Sequence, residues 1–294
     1  MQFSEYPAGH YLKKMTKIFF IAAISIVMTN QIKSQSTSAS IPYYLKDRGA
    51  GIPTSMFGTY INKKEVIIYP FYEFYYDNNA EYKPAELGHS LDEDFRGRYR
   101  AHEGLLFLGY GLSDRWAIEV EAAFISASLY KSPEDNSTLP SKLSESGLGD
   151  VEGQLRYRWN RETNRHPEVF SYFETVFPLQ KNKTLIGTQH WEFKLGSGLI
   201  KGFQWGTMTF RAAVEYDTGE NKLDIGEMAI EYLKRVSKSF RFGIITEASQ
   251  DEVELIVDLQ FHISPHAFIR FNNGFGITSK ATDYAPEIGI LFHF

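Results

Sequence analysis

The fold class of this chain is decided by its last stretch, Tyr284-Ala285-Pro286-Glu287-Ile288-Gly289-Ile290-Leu291-Phe292-His293-Phe294. Apolar side chains recur there at every second position, at Ile288, Ile290, Phe292 and Phe294. Successive side chains of a β-strand point to opposite faces, so these four share one face. The other face carries mostly polar or small residues. The stretch therefore predicts a strand with one apolar and one largely polar side.

The same alternation recurs in twelve runs along the chain, joined by short and long connections in turn. Each run is near the ~10 residues that a tilted strand needs to cross lipid. This pattern predicts an all-β fold, a single antiparallel up-and-down transmembrane β-barrel of about twelve strands in an outer membrane. A soluble secreted barrel is the alternative. The predicted strands are 65–76, 104–111, 116–128, 147–159, 168–177, 190–200, 207–216, 223–233, 240–248, 252–263, 266–277 and 284–294.

Composition agrees with a barrel and excludes several other classes of protein. The chain has 294 residues, a net charge of −5 and no cysteine, which excludes a disulfide framework or a thiol nucleophile. It has no run of eighteen apolar residues, so a membrane-spanning form must be a closed sheet, because lipid offers no partner to an unpaired backbone group. The acidic balance argues against a nucleic-acid partner. We expect no cofactor and no metal site.

The N-terminal region has the outline of a secretory signal peptide. Lysines precede an apolar run at 18–28, and Ser34-Gln35-Ser36 follows it. We expect residues 1–36 to be removed, with Met15 as an alternative initiator.

A leader of residues 37–63 precedes the predicted barrel, residues 64–294. The leader shows no sustained periodicity and carries closely spaced turn residues at 47–53. Connections of this length are either functional or disordered. Two interpretations therefore have equal weight, an ordered leader or plug and a periplasmic tail.

Two short motifs resemble a known family. One is Gly147-Leu148-Gly149-Asp150, and the other is the hairpin turn Gly109-Tyr110-Gly111-Leu112-Ser113-Asp114-Arg115. Both are similar to motifs of the meta-pathway phenol-degradation family of outer-membrane transporters. The resemblance covers the central third of the chain and implies a transport barrel, and it brings no functional residues with it.

Charged side chains recur on the face of the strands that we expect to point inward. Acids outnumber bases there by twelve to six, which predicts either a hydrated path for cations or neutral small solutes, or a sealed network of paired charges. Twelve strands lie between the eight that side chains can fill and the sixteen that leave an open channel, which favours a narrow passive path. The predicted lumen-lining residues are Glu119, Glu121, Asp150, Glu152, Arg156, Arg158, Arg211, Glu227, Glu231, Arg241, Glu254, Asp258 and Arg270, with Glu192, Lys194, Glu215, Glu247 and Glu287 in the same phase.

Neighbouring strands bring acids and arginines of the lumen within reach of one another. Glu119 and Glu121 lie on the strand before Arg156 and Arg158, and adjacent strands are under ~5 Å apart. We expect these side chains to pair. The acids left unmatched, which would set a preference for cations, include Glu227, Glu231, Glu254 and Asp258.

Two groups of residues are predicted to meet the membrane and the cell. If the even-numbered side chains of 104–111 face lipid and the alternation continues toward the N-terminus without a break, Arg96, Arg98 and Arg100 also point outward. There they would meet the phosphates of lipopolysaccharide or other outer-membrane lipid. A solvated loop, or an inward turn through a bulge near Gly104, is the alternative. The aromatic terminus, Phe292 and Phe294, resembles the signal by which the barrel-assembly machinery recognises its substrates.

A lipid hydrolase is the alternative from another class. His262 and Ser264 suggest a base and a nucleophile, and Asn272 could orient the base. Asn272 lies ~13 Å further along the barrel at the rise of a strand, and His262 points inward. We therefore expect a lumen histidine and no enzyme.

Overall fold

In a computed structural model of the chain, the described residues are 41–219, 221–249 and 252–294. The predicted signal peptide, residues 1–36, lies outside them, as do residues 37–40 of the predicted leader. No helix in the described ranges is long and apolar enough to cross a membrane.

Twelve strands of the described chain form one closed antiparallel barrel. Each strand pairs with the strands before and after it in sequence, and the last closes the barrel by pairing with the first. The predicted up-and-down barrel is therefore confirmed. The barrel strands are β3 (Val66–Tyr82), β4 (Phe95–Gly111), β5 (Trp116–Tyr130), β6 (Lys142–Asn160), β7 (Glu168–Phe177), β8 (Glu192–Gly202), β9 (Thr207–Asp217), β10 (Lys222–Arg235), β11 (Phe240–Ser249), β12 (Glu252–Ser264), β13 (Ala267–Gly276) and β14 (Tyr284–His293).

The two ends of the barrel differ in their connections. At the short-turn end the connections are 112–115, 161–167, 203–206, 236–239 and 265–266. At the long-loop end the three longest connections are 83–94, 131–141 and 178–191. This is the alternation that the sequence predicts.

Several strands are longer than their sequence predicts. The predicted connection 77–103 is mostly strand, because β3 continues to Tyr82 and β4 begins at Phe95. Cross-strand hydrogen bonding requires no apolar face, so the ladder extends into sequence too polar to be expected in lipid.

The outer face of the barrel carries a belt of apolar side chains. A soluble domain rarely exposes a contiguous apolar patch of this extent, whereas a membrane barrel needs one all the way around. The exposed belt includes Leu106, Leu108, Ile118, Val120, Phe124, Leu195, Leu199, Phe210, Val214, Ile230, Ile244, Phe271 and Ile288.

Aromatic rings border this belt at both ends. At the short-turn end Trp116 lies 4.5 Å from Tyr157, and Phe203 lies 4.8 Å from Trp205, measured between ring centroids. At the other end the rings that pack together include Tyr76 with Tyr284 and Phe177 with Trp191. Two aromatic girdles around an apolar band are typical of outer-membrane barrels.

Residues 41–65, here called the inner segment, lie inside the barrel toward the short-turn end. The inner segment begins with a 3-10 turn at Tyr43–Leu45 and continues through a small hairpin of β1 (Ile52–Pro53) and β2 (Tyr60–Ile61). Burying the apolar side chains of this hairpin stabilises it inside an otherwise charged lumen. Ile52 and Ile61 are fully buried in a cluster with Ile67, Tyr69, Phe71, Phe107, Phe268 and Leu291 of the wall.

Candidate functional site

The inward phase of the wall strands gathers the charged side chains of the chain into one lumen. Each strand contributes at every second position, so a strand that shows apolar side chains to the outside shows polar ones to the inside. The thirteen predicted lumen residues are either fully buried between the strands or border an internal cavity. Buried are Glu119, Arg156, Arg158, Arg211, Asp258 and Arg270, and bordering a cavity are Glu121, Asp150, Glu152, Glu227, Glu231, Arg241 and Glu254.

Arg211 on β9 is the centre of a buried ion-pair cluster. Its Nε lies 2.6 Å from a carboxylate oxygen of Glu227 and 3.7 Å from one of Glu231, and its Nη2 lies 3.3 Å from Glu247. The prediction that Glu227 and Glu231 are unmatched is therefore wrong. Residues far apart in sequence are brought level by the register of β9, β10 and β11, which the chain order alone does not give.

Arg270 on β13 forms a second buried cluster. Its Nε donates to Asp258 at 2.8 Å, and Glu287 lies 3.7 Å away, with Asp258 and Arg270 each only 1% exposed. Asp258, which we predicted to be unmatched, is instead half of a buried pair. An ion removed from water this completely requires such a partner.

The predicted pairing between β5 and β6 is half correct. Arg156 Nε lies 3.3 Å from Glu119, as expected. Glu121, however, is level with Glu152, so two acids face each other. Arg158 turns to the inner segment and donates to the carbonyl oxygens of Ala50 and Gly51 at 2.9 and 3.0 Å.

The base of the inner segment is anchored by a buried arginine of its own. Arg48 Nη2 donates to Glu162 at 3.1 Å and to Glu168 at 3.0 Å. Burial disfavours the charged form of Arg48, yet its pKa is raised because Tyr60, Glu168 and Glu162 together outweigh that effect. Arg156 Nη1 also donates to the carbonyl oxygen of Pro53 at 2.9 Å.

The tip of the inner segment, residues 54–60, is held to the wall by fewer contacts. The backbone N–H and hydroxyl of Ser55 donate to Glu119 at 3.1 and 2.7 Å. Gln260 Nε2 donates to the carbonyl oxygen of Phe57 at 3.1 Å, and the Arg270 guanidinium lies 4.6 Å from the centre of the Phe57 ring. Gly58 turns the chain with a φ of +59°, where an L side chain is strained.

An acidic chamber lies between the tip and the long-loop end. A cavity of about 510 Å³ is bordered by Met56 and Phe57 of the tip, and a second cavity of about 230 Å³ shares both residues with it. Three of the carboxylates that border the larger cavity, Glu73, Glu103 and Glu121, form no ion pair within the described ranges. The remaining carboxylates on its wall are Asp150, Glu152, Glu192, Glu247, Glu254 and Glu287.

Glu73 and Glu103 are lumen residues that the prediction omits. Glu73 follows the same inward phase as Tyr69 and Phe71, two aromatics that are buried inside the barrel. Glu103 lies one residue before the predicted start of its strand. Following the period of two within 65–76 could have found Glu73, and extending it one residue before 104 could have found Glu103.

A basic chamber lies on the other side of the tip. This cavity of about 570 Å³ opens at the short-turn end and is bordered by Thr59 and Tyr60 of the inner segment. Its charged side chains are mostly cationic. The cationic ones are Arg48, Arg235, Lys238 and Arg241, and the one acid is Glu65. The rings of His262 and His293 also border the cavity.

The residues of the hydrolase alternative do not form a catalytic arrangement. The Ser264 hydroxyl oxygen accepts a hydrogen bond from the backbone N–H of His266, and the His262 ring lies 5.0 Å from that of Phe268. Asn272 is level with Asp258, further along the barrel than the turn that carries Ser264. No hydrogen bond joins His262, Ser264 and Asn272, all of which are described.

The arginines predicted to meet lipid stand on the outer face of β4. Alternation continues without a bulge from Leu106 back to Arg98, so no inward turn occurs near Gly104, and the register shift between β3 and β4 lies further along, opposite 97–99. Arg98 and Arg100 lie over the rings of Tyr130 and Tyr76, and Arg96 pairs with Glu81 at 2.6 Å.

The aromatic terminus lies beside the barrel seam. The rings of Phe292 and Phe294 are stacked with centroids 6.4 Å apart. Backbone hydrogen bonds of 3.1 and 3.0 Å join Phe294 to Val66. The terminal residue therefore takes part in closing β14 onto β3.

An outer membrane channel from Pseudomonas putida F1 has a similar structure, with a TM-score of 0.59, 10% identity and coverage of 82% of this chain and 99% of that one. The translocator domain of the autotransporter NalP from Neisseria meningitidis gives 0.49, with 8% identity over 79% of this chain and 89% of its own. The Ralstonia pickettii toluene transporter TbuX gives 0.44, with 9% identity over 79% and 90%. No family model and no curated protein matches the sequence. At 10% identity the first similarity concerns the fold alone.

Proposed function

We propose that this protein is an outer-membrane channel for small solutes and that the tip of its inner segment closes the lumen. The apolar belt and the two aromatic girdles support a membrane location. The similar barrel from Pseudomonas putida is an outer membrane channel, which supports the same role here. Residues 1–36 serve as the signal peptide in this proposal, and the short-turn end faces the periplasm.

The observation that carries the proposal is the arrangement of the chambers. Cavities of about 510 and 570 Å³ lie toward opposite ends of one lumen. Met56 and Phe57 border one, and Thr59 and Tyr60 border the other, so the tip lies between them, together with the buried cluster that packs Ile52 and Ile61 against the wall. A barrel stabilised only by side-chain packing would have no need of a water-sized chamber at each end.

The contacts of the tip bear on how often the lumen opens. The two hydrogen bonds from Ser55 to Glu119 are charge-assisted, and the bond to Phe57 is neutral. Together with the contact of Arg270 on Phe57, these polar contacts sum to on the order of 5 kcal/mol, and the packing of Met56, Phe57 and Tyr60 against buried clusters of the wall adds to that sum. At about 1.4 kcal/mol per tenfold, the polar contacts alone hold the open state to on the order of one part in several thousand. The anchors at Arg48 and Arg158 stay in place.

The acidic chamber gives the path its preference among solutes. Carboxylates without counter-charges at the mouth of a low-dielectric lumen raise the local concentration of cations and exclude anions. We therefore infer that cations and neutral molecules enter more readily from the long-loop end.

Conductance across a planar lipid bilayer tests this function. We expect wild-type protein to show rare, brief current steps. Phe57→Ala should raise the open fraction about tenfold, because it removes the aromatic contact to a buried guanidinium. Phe173→Ala, which truncates the same side chain on the outer face, is the matched control and should leave gating unchanged.

A sealed structural barrel is the second candidate, and the buried ion pairs around Arg211 and Arg270 favour it. Silence of both wild type and Phe57→Ala, in barrels whose gel mobility shifts on boiling as a folded barrel's does, would support sealing and contradict the channel.

The membrane partners of the barrel are also part of the proposal. Arg98 and Arg100 extend outward over half-buried tyrosines, where lipopolysaccharide phosphates could accept charge-assisted hydrogen bonds. Phe292 and Phe294 lie at the seam, where the barrel-assembly machinery would recognise the last strand.

A further inference from the structure

Two arginines of the basic chamber are placed directly opposite each other on neighbouring strands. Arg235 at the end of β10 and Arg241 at the start of β11 are register partners. Both share the inward phase of the fully buried Leu233 and Ile245 on the same strands. Like charges directly opposite each other destabilise a sheet. Neither guanidinium forms a salt bridge among the described residues, and the charge of nearby Asp47 offsets only part of the repulsion.

Buried donors converge on the same chamber. The Nε atoms of Arg235 and Arg241, the Nε2 atom of His262 and two nitrogens of Arg48, Nε and Nη1, are all buried with no hydrogen-bond partner. All four residues border the basic chamber. Unsatisfied buried polar groups are uncommon in folded proteins, and a cluster of them around one cavity points to a site that binds a polar ligand.

The nearby acids are engaged elsewhere and leave the chamber positive. Asp47 accepts from the backbone N–H of Arg235 at 2.9 Å and lies 3.8 Å from Lys234. Glu65 lies 2.7 Å from His293 at the opposite wall. Glu162 and Glu168 neutralise Arg48, as described above, which leaves Arg235, Arg241 and Lys238 without a carboxylate in ion-pair contact in the described part of the chain.

We infer that the basic chamber binds a small anion of the carboxylate or phosphate class, held between Arg235 and Arg241. Two guanidinium groups side by side match the oxygens of such an anion and can each donate two hydrogen bonds. Lys238 on the adjoining turn adds a third positive charge, and the His262 ring on β12 borders the same cavity. The cavity of about 570 Å³ holds the anion together with its water.

This site is independent of conduction, because it needs only the folded barrel and access from the short-turn end. A preference for cations at one mouth and an anion site at the other would make the two ends of the lumen electrically opposite. A barrel that conducts but binds no anion would overturn this inference alone, and a silent barrel that binds one would overturn only the channel.

Calorimetric titration of the purified full chain in detergent tests the site, with sodium phosphate in one arm and sodium acetate in the other at constant ionic strength. We expect saturable binding in at least one arm, and the stronger arm identifies the class. Arg241→Gln should weaken it at least about tenfold, the loss expected for a charge-assisted contact. Arg165→Gln removes an equal charge from an exposed turn at the same end and should bind like wild type.

Thermal unfolding gives a second measurement that does not depend on heats of binding. The ligand should raise the melting temperature of wild type and leave that of Arg235→Gln with Arg241→Gln unchanged. The double variant should itself fold, because it removes a like-charge pair. No binding in either arm, or equal binding by wild type and Arg241→Gln, would overturn the inference.

Discussion

Asp258→Asn should destabilise the barrel without changing its ion selectivity. Asp258 accepts from Arg270 Nε at 2.8 Å and from Gln260 Nε2 at 2.7 Å, in a site where both charged partners are 1% exposed. The asparagine keeps the shape and one acceptor oxygen but leaves the buried guanidinium with a single carboxylate, Glu287, at 3.7 Å.

The size of the effect follows from that geometry. Removing one partner of a buried pair costs about 3–5 kcal/mol when the other charge is left uncompensated. Glu287 and the retained hydrogen bond offset part of this, so we expect a loss of about 2–3 kcal/mol in the free energy of unfolding.

The assay is urea unfolding of the barrel in lipid vesicles, followed by the fluorescence of its four tryptophans. Glu254→Gln is the matched control, because Glu254 borders the acidic chamber and forms no ion pair within the described residues. We expect a change within about 0.5 kcal/mol for this control. An Asp258→Asn barrel as stable as wild type, or one with altered ion selectivity, would refute the structural role assigned to Asp258.

Three further predictions concern the chamber, the outer face and a loop. Glu121→Gln with Glu152→Gln should lower the potassium-to-chloride permeability ratio roughly twofold in a bilayer under a salt gradient, since these carboxylates border the acidic chamber. Glu134→Gln on an exposed loop is the control. An unchanged ratio in the double variant would exclude the acidic chamber from the path. Arg98→Gln with Arg100→Gln should lower the melting temperature in lipopolysaccharide bilayers but not in detergent, and equal effects in both would remove the lipid contact. Burial disfavours the charged form of Asp135, but hydrogen bonds from Ser137 and Tyr82 prevail and hold its pKa below the usual 3.8. Hydrogen-exchange protection of loop 131–141, relative to intrinsic rates, should therefore persist at pH 5 and be lost as the pH falls below about 3.8. Asp135→Asn should abolish that pH dependence. Protection that rises on acidification would contradict the assignment.

The positions of the strands could be predicted because the hydrophobicity of their side chains alternates with a period of two. Ile118 and Val120, for example, alternate with Glu119 and Glu121, and the outward phase fixes the inward one. The lengths of the strands could not be predicted where the sequence becomes polar, as in β4 before Gly104, since backbone pairing continues beyond lipid without an apolar face.

The partners inside the lumen were harder to predict than its lining. Asp258 and Arg270 meet because β12 and β13 are adjacent and Asp258 is level with Asn272, two residues from Arg270. Arg211 meets Glu247 although their strands, β9 and β11, are not adjacent. Such contacts depend on stagger and on closure of the barrel, which alternation within one strand does not encode.

The inner segment left the weakest signal in the sequence. Its buried residues Ile52 and Ile61 belong to strands of two residues each, too short to show a period. Its carbonyl groups bind Arg156 and Arg158, whose positive charge could equally have been matched by lumen acids. Only the closed barrel shows why those arginines face it.

A reversible tether on the tip tests the channel most directly. Leu233 Cγ lies 3.5 Å from the place that a Cβ at position 58 would occupy. In Leu233→Cys the sulfur takes nearly the position of that Cγ. In a disulfide the sulfur of one cysteine lies about 3 Å from the Cβ of the other. Gly58→Cys with Leu233→Cys should therefore oxidise readily in a chain that has no other cysteine, at a cost of about 1–3 kcal/mol for the positive φ.

The measurement is the single-channel current of this double variant in one planar bilayer before and after a reductant is added. We expect the oxidised protein to be silent and current steps to begin on reduction, while each single-cysteine variant conducts throughout. Steps of equal size and frequency in the oxidised and reduced protein, with the disulfide confirmed by mass spectrometry, would show that the tip does not close the lumen.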